Sequence, residues 1–190
     1  MKVTKFNNAS EFLNTALSYL EEQEALNGLM LGLAFRMSQS APRRRNRPFL
    51  AVVEAGGELV GAAVMTPPRK LVLYSQLDEC QPVVRALRDA LQDSRWAVPG
   101  VLGPAKVADA WAKLWEEENG RSPELGMRQR VFELRQVRPL PLPQGRLRLA
   151  NADDFEQMVT WVKGFHEDAF LREELDAIEL LTRSKILSEE

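Results

Sequence analysis

The first 38 residues show the apolar spacing of two helices behind a short strand. Asn8 followed by Glu11 matches the reciprocal capping pattern that starts a helix. Apolar residues then recur every three or four positions, which places on one buried stripe Phe12, Leu13, Ala16, Leu17 and Leu20. A second stripe covers residues 26–37, with a break between the helices expected near residues 27–28. The pattern predicts one strand followed by two helices.

From Phe49 the apolar positions take the spacing of strands. Two β-branched runs flank Gly56 and Gly57, whose tolerance of positive φ suits a tight hairpin. A further strand is predicted at 70–75, so three successive strands form an antiparallel meander. A helix with Pro82 in its first turn follows.

The next stretch repeats the order strand and helix. Residues 96–104 predict a strand interrupted by a proline and a glycine. Residues 105–119 predict a helix that ends at Gly120. Trp111 and Trp115, four residues apart, are predicted to face the core rather than a ligand.

Two further segments complete the first part of the chain. Residues 127–137 alternate charged and apolar side chains, which predicts a half-exposed strand. Residues 138–146 are rich in proline and predict a stiff linker at a domain boundary. The first domain is therefore expected to cover residues 1–137.

Beyond this linker, the chain repeats its own opening. Asn151 with Asp154 repeats the cap of Asn8 with Glu11 at an offset of 151 − 8 = 143 residues, and an amphipathic helix follows. That offset is the length of a small domain. Residues 147–190 are thus expected to supply the first strand and helices of a truncated second domain. This tail is expected to dock on the first domain or on a neighbouring subunit, forming a homo-oligomer through the C-terminal helices, or to be partly mobile.

Composition excludes several kinds of chemistry. Cys80 is the only cysteine and His166 the only histidine, so a disulfide, a thiolate zinc site and a multi-histidine metal site are excluded. A Ser-His-Asp or Cys-His site would have to use His166, and Cys80, without a neighbouring base, is expected to be inert. No signal sequence or membrane-spanning stretch is present, and a cytoplasmic location is expected.

Charge gives no strong indication of a polyanionic partner. The formal net charge is −2, from 25 basic and 27 acidic side chains, so neither nucleic acid nor a membrane is expected as the main partner. The loop at 38–48 holds four arginines. It is interpreted either as a solvated loop or as a phosphate-contacting patch built from Arg43 to Arg47.

The order of predicted elements resembles the GNAT superfamily of N-acetyltransferases. The segments FLAVVEAGGELVGAAVM, VPGVLGPAKVADAWAKLW with MRQRVFELRQV, and RLRLANADDFEQMVTWVKGFHEDAF look like bacterial tandem GNAT proteins. The resemblance implies an α+β, three-layer fold with a mixed, mostly antiparallel central sheet flanked by helices. It also implies transfer of acetyl from acetyl-CoA to a small-molecule or peptide amine.

The resemblance also locates the cofactor site of the family. There, the fourth strand leads into a Q/R-x-x-G-x-G/A turn whose amides, at a helix N-terminus, hold the pyrophosphate of acetyl-CoA. The corresponding residues 76–91 contain no glycine; Asp78 and Glu79 would repel a pyrophosphate, and Pro82 lacks an amide. We therefore expect this chain to bind acetyl-CoA poorly and any transfer to belong to an intact C-terminal domain.

Candidate site residues are few. Tyr74 and Ser75 lie where the strands of the family fold splay into a cleft, although Tyr74 also suits the core. Gly100 and Gly103 would let a ligand approach the next strand, and turn geometry explains them equally well. No catalytic residue and no metal ligand is assigned.

Three functions stay open at this point. The first is an acetyltransferase whose active half is missing or lies downstream. The second is a catalytically inactive GNAT-like module that shapes a substrate or binds a partner. The third is a nucleic-acid binder that uses the arginine loop.

Overall fold

The computed structural model describes residues 1–39, 47–92, 96–141, 144–169 and 175–187. The chain divides into two compact units, Met1–Arg135 and Gln136–Glu190. In the first unit the described residues form β1 (Lys2–Lys5), α1 (Ala9–Glu21), α2 (Glu24–Ser38), β2 (Phe49–Ala55), β3 (Glu58–Met65), β4 (Leu71–Tyr74), α3 (Gln81–Gln92), β5 (Val101–Leu102) and α4 (Ala105–Asn119).

The strands of the first unit form one five-stranded sheet in the order β1-β2-β3-β4-β5. The first four strands are antiparallel to their neighbours, and β5 runs parallel to β4. The expected α+β class with a mixed, mostly antiparallel sheet is confirmed.

Helices cover both faces of this sheet, because strand side chains alternate between the two sides. On one face α1 and α2 pack on Leu50, Val52, Ala62 and Val64. On the other face α3 and α4 pack on Ala51, Val53, Ala63 and Met65. The three-layer arrangement is confirmed, and the central strands β2, β3 and β4 are largely buried on both sides, whereas the edge strands β1 and β5 are partly exposed.

The predicted hairpin and helix ends are present. Gly56 and Gly57 join β2 to β3 at φ of 64° and 93°, which only glycine adopts readily. Gly120 ends α4 in the left-handed region at φ 64°. Trp111 is buried and Trp115 packs partly buried beside it, as predicted for core residues.

The predicted break between the first two helices is wrong. α1 ends at Glu21 and α2 begins at Glu24, so residues 27–28 lie inside α2. Asn27 is buried there, and its side-chain amide donates to the carbonyl oxygen of Leu20 at 2.9 Å. The same carbonyl also accepts from the Gln23 amide at 3.3 Å, so the Asn27 bond adds a direct link from α2 to the end of α1. Leu26 and Leu29, on the outer side of α2, are 48% and 54% exposed.

The strand predicted at 127–137 is also wrong. The described residues 121–141 contain no strand or helix, and Phe132 and Leu134 are 84% and 76% exposed. The strand predicted at 96–104 is reduced to the two residues of β5. A strand needs a hydrogen-bonded neighbour. Within the described residues, β5 pairs with β4 alone, over two residues, and residues 127–137 pair with no strand.

The second unit consists of helices in its described part. A single 3-10 turn (Ala152–Asp154) leads into α5 (Phe155–Asp168), and α6 (Leu175–Leu187) packs against α5. The predicted cap is confirmed, because the Asn151 amide donates to the Asp154 carboxylate and the Asn151 side chain accepts from the Asp153 amide, both at 2.9 Å. The strand predicted to precede this cap is absent from the described residues 147–150.

Among the described residues, no helix combines the length and the apolar character that crossing a membrane requires.

Candidate functional site at the end of strand β4

Three of the four candidate residues meet where the parallel strands β4 and β5 end. Leu71 lies opposite Val101, and Val72 lies opposite Leu102. Tyr74 closes β4, Ser75 follows it, and Gly103 follows β5, so these three share one end of the strand pair. Gly100 precedes β5 and lies about 10 Å away at the other end.

Tyr74 is a core residue of the face covered by α1 and α2. Its ring lies 5.4 Å from the ring of Tyr19, centroid to centroid. Burial raises the pKa of Tyr74, and a hydrogen bond with Asn27 partly opposes that shift. The phenol therefore stays protonated at neutral pH, without exposure to a solvent-filled cleft.

Ser75 is buried and fully engaged with the protein. Its hydroxyl donates to the carbonyl oxygen of Val60 at 2.7 Å and accepts from the amide of Leu77 at 3.3 Å. These bonds fix the chain as it leaves β4. They also occupy the hydroxyl that a nucleophilic or proton-transfer role would require.

The two candidate glycines differ in what surrounds them. A β-carbon on Gly103 would lie 2.4 Å from the carbonyl oxygen of Leu73, so the close approach of β5 to β4 requires glycine. A β-carbon on Gly100 would meet only the flexible Lys70 side chain, at 3.5 Å. The contact that explains Gly103 is therefore with the neighbouring strand rather than with a ligand.

Tyr19 belongs to this site although the sequence analysis did not include it. Its hydroxyl accepts a hydrogen bond from the amide of Gln76 at 3.3 Å. Burial raises the pKa of Tyr19 well above its usual range. Its position three residues after Ala16, on the buried stripe of α1, was the signal that could have found it.

Lys106 bonds to the turn between β4 and α3, and the sequence did not indicate it as a site residue. The ammonium group donates to the carbonyl oxygen of Gln76 at 3.3 Å and to the carboxylate of Asp78 at 3.1 Å. Lys106 lies in the first turn of α4, so it ties this helix to the turn after β4. No sequence signal pairs residues that lie 28 positions apart in this way.

The turn itself has few main-chain donors to offer an anion. Of the six residues from Gln76 to Gln81, three already donate their amides to protein oxygens: Gln76, Leu77 and Cys80. Pro82 has no amide. Since Asp78 and Glu79 are exposed carboxylates in the same turn, the residues present do not fit a pyrophosphate.

Other candidates from the sequence add no catalytic group. Cys80 is buried, and its thiol lies 3.4 Å from the carbonyl oxygen of Lys106. His166 is half-buried on α5, edge-on to the ring of Phe165. Within the described ranges, no group of three or more metal-ligating side chains comes together. Of the arginine patch, residues 43–46 lie outside the described residues.

Two open depressions lie away from the end of β4. In the first unit, a depression of about 340 Å³ is lined by residues of β1 and α3, among them Val3, Lys5 and Asp89. In the second unit, one of about 230 Å³ is lined by Ala152, Phe155, Arg183 and Ile186. Neither contains a candidate site residue.

The fold and site together define a three-layer α+β domain whose strand-end site is closed by protein contacts. In comparisons with known proteins, no family model, no curated protein and no solved structure matches this chain.

Proposed function

We propose that the first unit is a GNAT-like domain without a cofactor site, working within an N-acetyltransferase. The unit shapes the substrate side or holds the assembly. Acetyl transfer from acetyl-CoA to a small-molecule or peptide amine belongs to a second domain, whose opening is residues 147–190.

The observation that carries this proposal is the closed turn after β4. Binding a pyrophosphate requires several unpaired amides at a helix N-terminus and no competing negative charge. Here three amides are already used, and Lys106 is held by Asp78 and the Gln76 carbonyl. Residues 76–81 therefore do not offer the free amides that the pyrophosphate-binding turn of the GNAT family would provide.

The second unit supports the tandem part of the proposal through its cap. The Asn151 and Asp154 bonds begin the 3-10 turn that leads into α5, and a single bond from the Glu11 amide to the Asn8 side chain begins α1. A shared local start for two helices at a domain-length offset is what a duplicated unit would have. The single, buried Cys80 suits a reducing cytoplasm.

An assay of acetyl transfer tests this proposal. Residues 1–190 are incubated with acetyl-CoA and a panel of amines, and release of the coenzyme A thiol is followed. We expect no release above the background. The product of the entire reading frame that includes these residues is expected to acetylate an amine. Turnover by residues 1–190, or inactivity of the longest product on every amine class, would contradict the proposal.

One observation favours the second candidate function, an inactive interaction module. Large apolar side chains are exposed along the extended part of the chain: Leu125, Met127, Val131, Phe132, Leu134, Val137 and Leu140. Exposed apolar stretches of this length are typical of binding surfaces. If no amine is acetylated by any form of the protein, this function takes precedence.

A further inference from the structure

The turn between β4 and α3, residues 76–80, is held by side chains from both faces of the sheet. On the face covered by α1 and α2, the Tyr19 hydroxyl accepts a hydrogen bond from the Gln76 amide at 3.3 Å. On the opposite face, where α4 packs, the Lys106 ammonium group donates to the Gln76 carbonyl oxygen at 3.3 Å. Both main-chain polar groups of Gln76 are therefore bonded, one to each helical layer.

The turn also carries hydrogen bonds of its own. The Leu77 amide donates to the Ser75 hydroxyl at 3.3 Å, and the Cys80 amide donates to the Asp78 carbonyl oxygen at 3.2 Å. A segment with internal bonds can separate from its neighbours as one cooperative unit instead of fraying residue by residue. Loss of a contact on one side of the turn should then be felt on the other side.

The contacts on the two sides differ in exposure. Tyr19 is buried in the core beneath α1. The Lys106 ammonium group lies 3.1 Å from the Asp78 carboxylate, but the Asp78 side chain is fully exposed and the Lys106 side chain is 42% exposed. An exposed ion pair contributes little stability and is weakened by salt. The Lys106 side is therefore the one that solvent and solutes can reach.

Cys80 closes the turn on the α4 face and reports whether it is open. It is buried, and its thiol donates to the carbonyl oxygen of Lys106 at 3.4 Å. It belongs to the core beneath α3 and α4, whereas Tyr19 belongs to the core on the other face. Since Cys80 is the only cysteine in the chain, a thiol reagent reads this position alone.

We propose that residues 76–80 open and close as one unit, that Gln76 couples α1 to α4 across the end of the sheet, and that the exposed Lys106–Asp78 pair is the point of release. Breaking the contacts of Lys106 loosens the bond to Tyr19 on the opposite face, and breaking the Tyr19 bond exposes Cys80 on the α4 face. The inference concerns a local opening of the first unit and is independent of the proposed function.

The rate at which an uncharged maleimide labels Cys80 in the intact chain tests this opening, because a buried thiol reacts only when it becomes exposed. Lys106→Met and Tyr19→Phe should each speed labelling about two- to tenfold, since each removes a hydrogen bond that only the closed turn makes. Urea unfolding of the same variants measures any loss of global stability. The acceleration should exceed the part that this loss accounts for.

Two matched controls separate the opening from general effects of the substitutions. Lys113→Met removes the same charge from an exposed position of α4 away from the turn. Tyr74→Phe removes a buried phenol hydroxyl on the Tyr19 face whose hydrogen bond goes to Asn27 instead of to the turn. Neither control should speed labelling beyond its effect on global stability.

Three results would overturn the inference. The first is labelling of the unaltered protein only through global unfolding. The second is a corrected rate that Tyr19→Phe or Lys106→Met leaves unchanged, because the two faces would then not be coupled through Gln76. The third is an equal acceleration in Lys113→Met or Tyr74→Phe.

Discussion

At the scale of single residues, contacts with the next strand decide which glycine is essential. Gly100 and Gly103 flank β5 and look equivalent in the sequence. Only Gly103 lies so close to a neighbouring carbonyl, that of Leu73, that a β-carbon cannot be added without movement. The sequence identified both glycines but could not rank them, because the deciding atom lies 30 residues away.

Gly103→Ala is expected to destabilise the first unit by about 1–3 kcal/mol, since the backbone of β4 or β5 must shift to admit a methyl group. Gly100→Ala, the matched control, should change the free energy of unfolding by less than about 1 kcal/mol. Urea unfolding of both variants measures the difference. Equal stability of the two variants would show that the close approach at Gly103 does not exist in solution.

The pair of Arg148 and Asp154 gives a second prediction at this scale. Two hydrogen bonds, of 2.6 and 2.7 Å, join the guanidinium to the carboxylate, and they hold the pKa of Asp154 well below its usual range. Because the folded pKa is the lower one, the stabilisation is present above about pH 4 and is lost as the pH falls through the folded value.

Arg148→Ala should therefore raise the pKa of Asp154, while Arg146→Ala should leave it in place. Carboxyl NMR titration of both variants reads this directly. Titration of Asp154 in the ordinary carboxyl range in the unaltered protein would contradict the structure of this cap.

At the scale of elements, the sequence patterns correctly predicted the features that depend on contacts between residues close together in the chain. The hairpin of β2 and β3 follows from Gly56 and Gly57 alone, and the start of α1 follows from Asn8. The join between α1 and α2 does not follow from local pattern, because Asn27 acts back across the join on Leu20. The segment 127–137 has the residue pattern of a strand. A strand also needs a neighbouring strand to hydrogen-bond with, and the pattern of one segment does not show whether such a neighbour is present.

Asn27→Ala tests the account of this join. The substitution removes one of the donors to the Leu20 carbonyl and the hydrogen-bond partner of the buried Tyr74 hydroxyl, and a cost of about 1–3 kcal/mol in the free energy of unfolding is expected. Asn14→Ala, on the exposed side of α1, is the control and should be neutral or slightly stabilising, since alanine favours helix. Thermal or urea unfolding compares them. A neutral Asn27→Ala would mean that the side chain does not hold the helices together.

At the scale of the whole molecule, the sequence predicted the class of the fold and the position of the candidate site. The order of strands and helices followed from the residue pattern. The three layers, and the cleft for which Tyr74 and Ser75 were named, were implied by the family resemblance. Two contacts close the end of β4: the hydrogen bond from the Gln76 amide to the Tyr19 hydroxyl, and the bond of Lys106 to the Asp78 carboxylate. They join residues 57 and 28 positions apart, so they depend on the assembled fold.

The central claim, that the first unit holds no pyrophosphate cradle, is tested most directly by calorimetric titration of the intact chain with coenzyme A. With the Gln76, Leu77 and Cys80 amides already bonded and Lys106 held by Asp78, we predict no saturable heat up to millimolar ligand. A one-to-one isotherm in the micromolar range, weakened by Lys106→Met, would contradict the account.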